Sequence, residues 1–209
     1  MAWWNQVLIF SLVILSVALL LRPLSIFDKS ESVSGENPSN ATNEKSSPTV
    51  ISAEDVKIYD RLAEEMIFYH TMLRSTWDKL YRGTEPGATE PPPATLIGLG
   101  LHFCAHLQTH HDIEEAYWFP RLGEKMEGFR PGHFASEQHK EMHKGLEILR
   151  PHLEECRRGQ RVLDRGQVRQ ILDSFGGVLW QHMDDEVSEL RAENMIKYWS
   201  RDEMHHLLR

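Results

Sequence analysis

The chain is predicted to be all-α, an antiparallel up-and-down four-helix bundle carried behind an N-terminal transmembrane helix. Three observations predict this. From Asp55 onward, apolar residues recur at steps of three and four, the period of one helix face. No segment alternates with period two, so strands are not expected. Trp3 to Leu21 is a nearly unbroken apolar run with no charged side chain, closed by Arg22 and Pro23.

At about 1.5 Å of rise per residue, that run just crosses a bilayer core of roughly 30 Å. A secretory signal peptide would want a basic stretch before the run and a small-x-small cleavage site after it, and neither stands out. Residues 1–27 are therefore read as a retained single-pass anchor in a membrane, with a cleaved signal as the alternative. Arg22 and Lys29 follow the span and nothing basic precedes it, which points the folded domain to the cytosolic side. Asn40-Ala41-Thr42 would favour the lumenal side if it were glycosylated. Residues 28–52, rich in Ser, Asn, Glu, Thr and Pro, read as a flexible linker.

The bundle is expected over residues 53–199. Its first stripe is Tyr59, Leu62, Met66, His70, Leu73, Trp77 and Leu80, stopped by Gly83 to Gly87 and by Pro91-Pro92-Pro93. The second runs Leu99, Phe103, Leu107, His110, Glu114 and Tyr117 and ends near Pro120. The third is Ala135, His139, Met142 with His143, Leu146, Leu149, Leu153 and Cys156, closed by Gly159. The fourth is Val168, Ile171, Phe175, Leu179, His182, Glu186 and Leu190. Short connections between helices of this length predict an up-and-down arrangement. Residues 200–209 form a tail in which a short helix has room.

Composition narrows the function. A formal net charge of −8 and the lack of any basic stripe argue against nucleic acid, whose backbone is bound by clustered Lys and Arg. The two cysteines, Cys104 and Cys156, have no metal-site or disulfide-scaffold spacing. The chain has 12 histidines, however, and most lie between His70 and His182.

The informative residues are those that interrupt the apolar stripes: His70, His110, Glu114, His139, His143, His182 and Glu186. Burying an ionised carboxylate without a partner is costly, and burying two is worse. A metal ion resolves that cost by supplying positive charge and coordination together. His110 and Glu114, His139 and His143, and His182 and Glu186 each stand four apart, so each pair projects from one side of its helix. Any one of these histidines alone would pass for an ordinary core residue, but all four helices carry such residues near mid-stripe. His111 with Glu115 repeats the spacing one residue later and is the rival of His110 with Glu114. His102 and His106 read either as outer hydrogen-bond partners of the ligands or as solvated residues, and His133 and His152 as surface ones. Imidazoles with carboxylates suit iron or another borderline divalent ion, unlike the thiolate-rich tetrahedra of structural zinc.

At these residues the sequence resembles the hemerythrin-like family, the histidine-histidine-glutamate cation-binding domain. The matching elements are His70, His110-His111-Asp112-Ile113-Glu114-Glu115 leading to Phe119-Pro120, His139-Lys140-Glu141-Met142-His143, and His182-Met183-Asp184-Asp185-Glu186, over roughly residues 55–195. The resemblance implies two iron ions bridged by an oxo or hydroxo group, with His70, His110, Glu114, His139, His143, His182 and Glu186 as ligands. It favours His110 with Glu114, because the family places its ligand glutamate six residues before this proline. The last carboxylate here follows its histidine by four residues, where the best-known oxygen carriers use an aspartate five residues on. The Glu-x-x-His spacing of ferritin-like bundles occurs only at Glu203 to His206. The expected function is a membrane-anchored diiron protein that binds dioxygen or iron. The alternative is a diiron oxidase or oxygenase acting on a small lipophilic organic substrate.

Overall fold

The structure, a computed structural model, describes residues 52–208. The expected anchor and all of the linker except Ser52 lie outside the described residues. Among the described residues the regular structure is helical, and no helix is long and apolar enough to cross a membrane.

The Ser52 hydroxyl accepts the Asp55 amide and starts α1 (Ala53–Tyr59). Asp60 then separates α1 from α2 (Arg61–Arg82), dividing what the periodicity joined as one helix. The break is shallow, since Asp60 keeps helical dihedrals, and its carboxylate turns away to accept the amide of Ala192 at 2.7 Å. α3 (Pro93–Ile113) begins with a proline, whose missing N–H costs nothing in a first turn. α5 (Phe134–Arg157) and α6 (Arg165–Glu189) complete the long helices. The short α4 (Phe119–Leu122) follows α3 by way of a wider turn described below.

Packing runs α2 against α3, α3 against α5, α5 against α6, and α6 back against α2, so four long helices close a ring in chain order. This is an up-and-down bundle. At one end Arg165 donates to the carbonyls of Gly83, Thr89 and Pro91, tying the start of α6 to the α2–α3 connection. At the other end α7 (Ala192–Tyr198) and α8 (Arg201–Leu207) pack against α1. The segment expected as a tail thus contributes Met204 and Leu207 to the interior.

The apolar interior is divided in two. One cluster, with Leu73, Trp77, Phe103, Leu107, Met142, Leu146, Phe175 and Leu179, fills the half nearest the α2–α3 connection. The second, with Leu62, Met66, Phe119, Leu122, Phe129, Ala135, Leu190, Met195 and Met204, fills the half under α7 and α8. Along α2 the two clusters are separated by His70, along α5 by His139, and along α6 by His182 and Glu186. A layer of polar side chains therefore crosses the middle of the bundle.

Candidate metal centre

That layer is dry. His111, His139, His182 and Glu186 are fully shielded, Glu114 and His70 nearly so, and His110 is 9% exposed. The side chains converge as two groups, His111, Glu114, His139 and His182 in one, His70, His110, Glu114 and Glu186 in the other. Within each group one ligating atom per residue lies within 4.8 Å of all the others, and Glu114 belongs to both.

The imidazoles are oriented from behind. His70 Nδ1 sits 3.2 Å from the Met183 carbonyl, which only accepts, so the proton is on Nδ1 and Nε2 faces the group with its lone pair. His139 Nδ1 donates to Glu115 Oε1 at 2.8 Å. His182 Nδ1 donates to Gln138 Oε1 at 3.2 Å, and Gln138 in turn donates to Asp185 at 2.8 Å. Such outer partners fix the tautomer and direction of a metal-binding histidine. His139 Nε2 and His182 Nε2 stand 3.2 Å apart, and His70 Nε2 and His110 Nε2 at the same distance. Two ring nitrogens that close repel unless a proton or a metal ion lies between them.

The carboxylates tell the same story. Both oxygens of Glu114 and both of Glu186 are buried without a hydrogen-bond partner, and so are both ring nitrogens of His111. His110 Nε2 comes within 2.9 Å of Glu114 Oε1, and His70 Nε2 within 3.2 Å of Glu186 Oε2, close contacts outside hydrogen-bond geometry. Burial would raise the pKa of Glu114, but His110 and His139 beside it hold the carboxyl well below the usual range. Burial and the neighbouring Glu114 push Glu186 up instead. Burial lowers His139, yet its contacts with Glu114 and Glu115 carry it to about 9. His111 and His182 are held well below 6.5, by burial first and then by His139, and so stay neutral, the form that ligates. Donors of this kind, with unpartnered lone pairs pointing inward from four helices, fit divalent cations.

Six of the seven expected residues, His70, His110, Glu114, His139, His182 and Glu186, come together here. The structure does not bring His143 into either group. Its side chain is 26% exposed, and its Nε2 lies 3.8 Å from Glu115 Oε1 on the outer side of the layer. The interior position beside it is filled by His111, stacked on His139 with ring centroids 3.8 Å apart. His110 and His111 both point inward because they are the last turn of α3, where neighbouring residues straddle the bundle axis. Glu115, the expected partner of His111, faces outward and holds His139. The second stripe shifts as well. A π-helical turn over Glu114–Trp118 makes Phe119, rather than Tyr117, the next fully buried residue. Pro120 gives the reason, because its ring would clash with the Ala116 carbonyl in a regular helix, and a wider turn relieves this. His152, expected at the surface, is buried, whereas His102 is exposed and stacks on His106.

A family model described as the hemerythrin HHE cation binding domain matches residues 61–192. The chain belongs to that family. The match takes in α2 through α6 and every residue of the buried layer, so the hemerythrin-like domain and the polar layer are one object. Among curated proteins, the dimeric xanthone biosynthesis cluster protein R11 of Cryptosporiopsis sp. (strain 8999) is 26% identical over 152 residues. That similarity covers 69% of this chain, and the chain spans only 56% of the relative's length. No solved structure matches the chain.

Proposed function

We propose that this domain holds two iron ions side by side in the buried layer, with Glu114 shared between them, and that it binds dioxygen or iron there. The observation that carries this reading is the pair of donor groups with one common carboxylate, their imidazole nitrogens facing each other across 3.2 Å. His70, His110 and Glu186 would serve one ion, and His139 and His182 the other. The mixture of imidazole and carboxylate, with Cys104 and Cys156 in neither group, favours iron over structural zinc. A pair of irons held by these residues would supply the electrons for binding dioxygen. The chain's own part is to orient the imidazoles through Met183, Glu115 and Gln138, and to exclude water with Leu73, Leu107 and Leu179. The apolar run at 3–21 would hold the domain at a membrane as a single-pass anchor, with the cytosolic side favoured by Arg22 and Lys29.

The second reading is an oxidase or oxygenase acting on a small lipophilic compound. It finds room in a groove of about 240 Å³ that reaches His70 and mixes Ile67, Met183 and Val187 with Arg74, Asp184 and Arg191. The relative's place in a xanthone biosynthesis cluster points the same way. Fold and ligands are common to both readings, so chemistry has to separate them.

The test is anaerobic iron loading of the full chain followed by metal analysis. Two ions per chain are expected from the two donor groups, and fewer than about one would sink the diiron reading. Exposure of the loaded, reduced protein to oxygen then distinguishes the functions. Absorption changes that reverse on deoxygenation mark a binder. Oxygen consumption that depends on an added aromatic substrate marks an oxidase.

A further inference from the structure

We infer that His111, and not His143, is the imidazole that completes the metal position shared by His139 and His182. This rests on the dinuclear reading above and names one of its ligands. His111 is fully shielded from solvent, and neither ring nitrogen has a hydrogen-bond partner. Leaving a buried polar atom unpaired is costly, so two on one ring are a heavy burden for a residue that leucine could replace. The ring lies in the donor group with Glu114, His139 and His182. It stacks on His139, with 18° between the planes, and stands edge-on to His182, with 81° between them.

The local backbone explains how His111 reaches this place. Glu114 follows it by three residues, close to one helical turn, and the two share a face at the end of α3. The Glu114 amide is accepted by the carbonyls of both His110 and His111, where the helix begins to widen. Glu115 is turned outward, leaving His111 no carboxylate of its own and giving His139 its outer partner. His143 sits beyond His111, 5.2 Å between ring centroids, and is about a quarter exposed to water. For His143 to ligate, His111 would have to leave a fully packed interior.

Cobalt(II) titration of the full chain, read by its visible ligand-field bands and by ion count, tests this. The expected result is that His143→Ala binds two ions with the wild-type spectrum. His111→Leu is expected to lose one ion, or to bind it at least about tenfold more weakly. Retention of both ions at full affinity by His111→Leu would overturn the inference, as would loss of an ion from His143→Ala. Thermal unfolding of the metal-free proteins guards against misfolding. His111→Leu removes two unpartnered nitrogens and should melt no lower than wild type, and His111→Gln, which keeps a donor, should recover part of the affinity. A wild-type chain that binds no cobalt or iron would remove the dinuclear reading itself, a result distinct from any difference between the variants.

Discussion

At the scale of single residues, the centre depends on side chains that never touch a metal. Glu115 is half exposed, and its reach to His139 Nδ1 sets which nitrogen faces inward. Replacing it by Gln keeps the shape but removes the charge that favours a proton on Nδ1. Glu115→Gln is expected to weaken metal binding about 10- to 100-fold, as outer partners of ligating histidines typically do, with little change in the melting of the metal-free form. A competition titration against a chelator reads this directly. Gly145 is the second such position. It lies on α5 where α6 comes closest, and a methyl group there would run into the ring of Phe175, itself buried in the core. Gly145→Ala is therefore expected to destabilise the domain by about 1–3 kcal/mol in urea unfolding, despite the better helix propensity of alanine.

At the scale of elements, the end of the bundle is closed by α7 and α8. Ser200 caps α8 and makes a full capping box with Glu203, whose carboxylate also takes an ion pair from Lys125 at 2.6 Å. Lys125 first, and then the Ser200 contacts, hold the Glu203 carboxyl down at about 2. A carboxyl depressed by folding contributes stability that is present above its ordinary value of about 4.5 and is lost as the pH falls toward 2. Docking of α8 is expected to loosen across that window. The Lys125 ammonium stands 4.8 Å from the Trp199 ring, so the fluorescence of Trp199 should change with it. Glu203→Gln should remove the pH step. A step of unchanged size in that variant would show that another group closes the end. The π-helical turn belongs to this scale too. One extra residue between Glu114 and Phe119 lets the ligand face of α3 and the apolar face of α4 both point inward, although a regular helix through Pro120 would have separated them.

At the scale of the molecule, a polar layer lies between two apolar clusters; α2, α5 and α6 pass through it from one cluster toward the other, and α3 ends in it. Cation binding should therefore act on the stability of the domain as a whole. With metal at about 100 times its dissociation constant, the stabilisation is about 2.7 kcal/mol per site. For a domain of this size a chelator that empties both sites should then lower the melting temperature by roughly 10–20 °C. A melting temperature indifferent to chelation, with metal shown to be bound beforehand, would place the ion outside the folded core.

Much of this was written in the order of residues. The helical period located the long helices, and the misfit of His70, His110, Glu114, His139, His182 and Glu186 with their apolar stripes located the layer, because spacing along one helix fixes which side chains share a face. Spacing put His143 among the ligands and weighed His111 only as the rival of His110, because it cannot choose between imidazoles of different helices. That choice depends on how far each helix stands from the bundle axis and on where Glu115 turns, and both are set by contacts between helices remote in sequence. The same holds for Asp60, which the pattern ran through, and for α8, whose Met204 and Leu207 show their purpose only once the second cluster is assembled. The sequence by itself determined that histidines and carboxylates would meet in one buried layer, since they interrupt the apolar stripe of every long helix. Only the tertiary structure decided which imidazoles face it, because direction into a shared interior is a property of packed helices and not of any one of them.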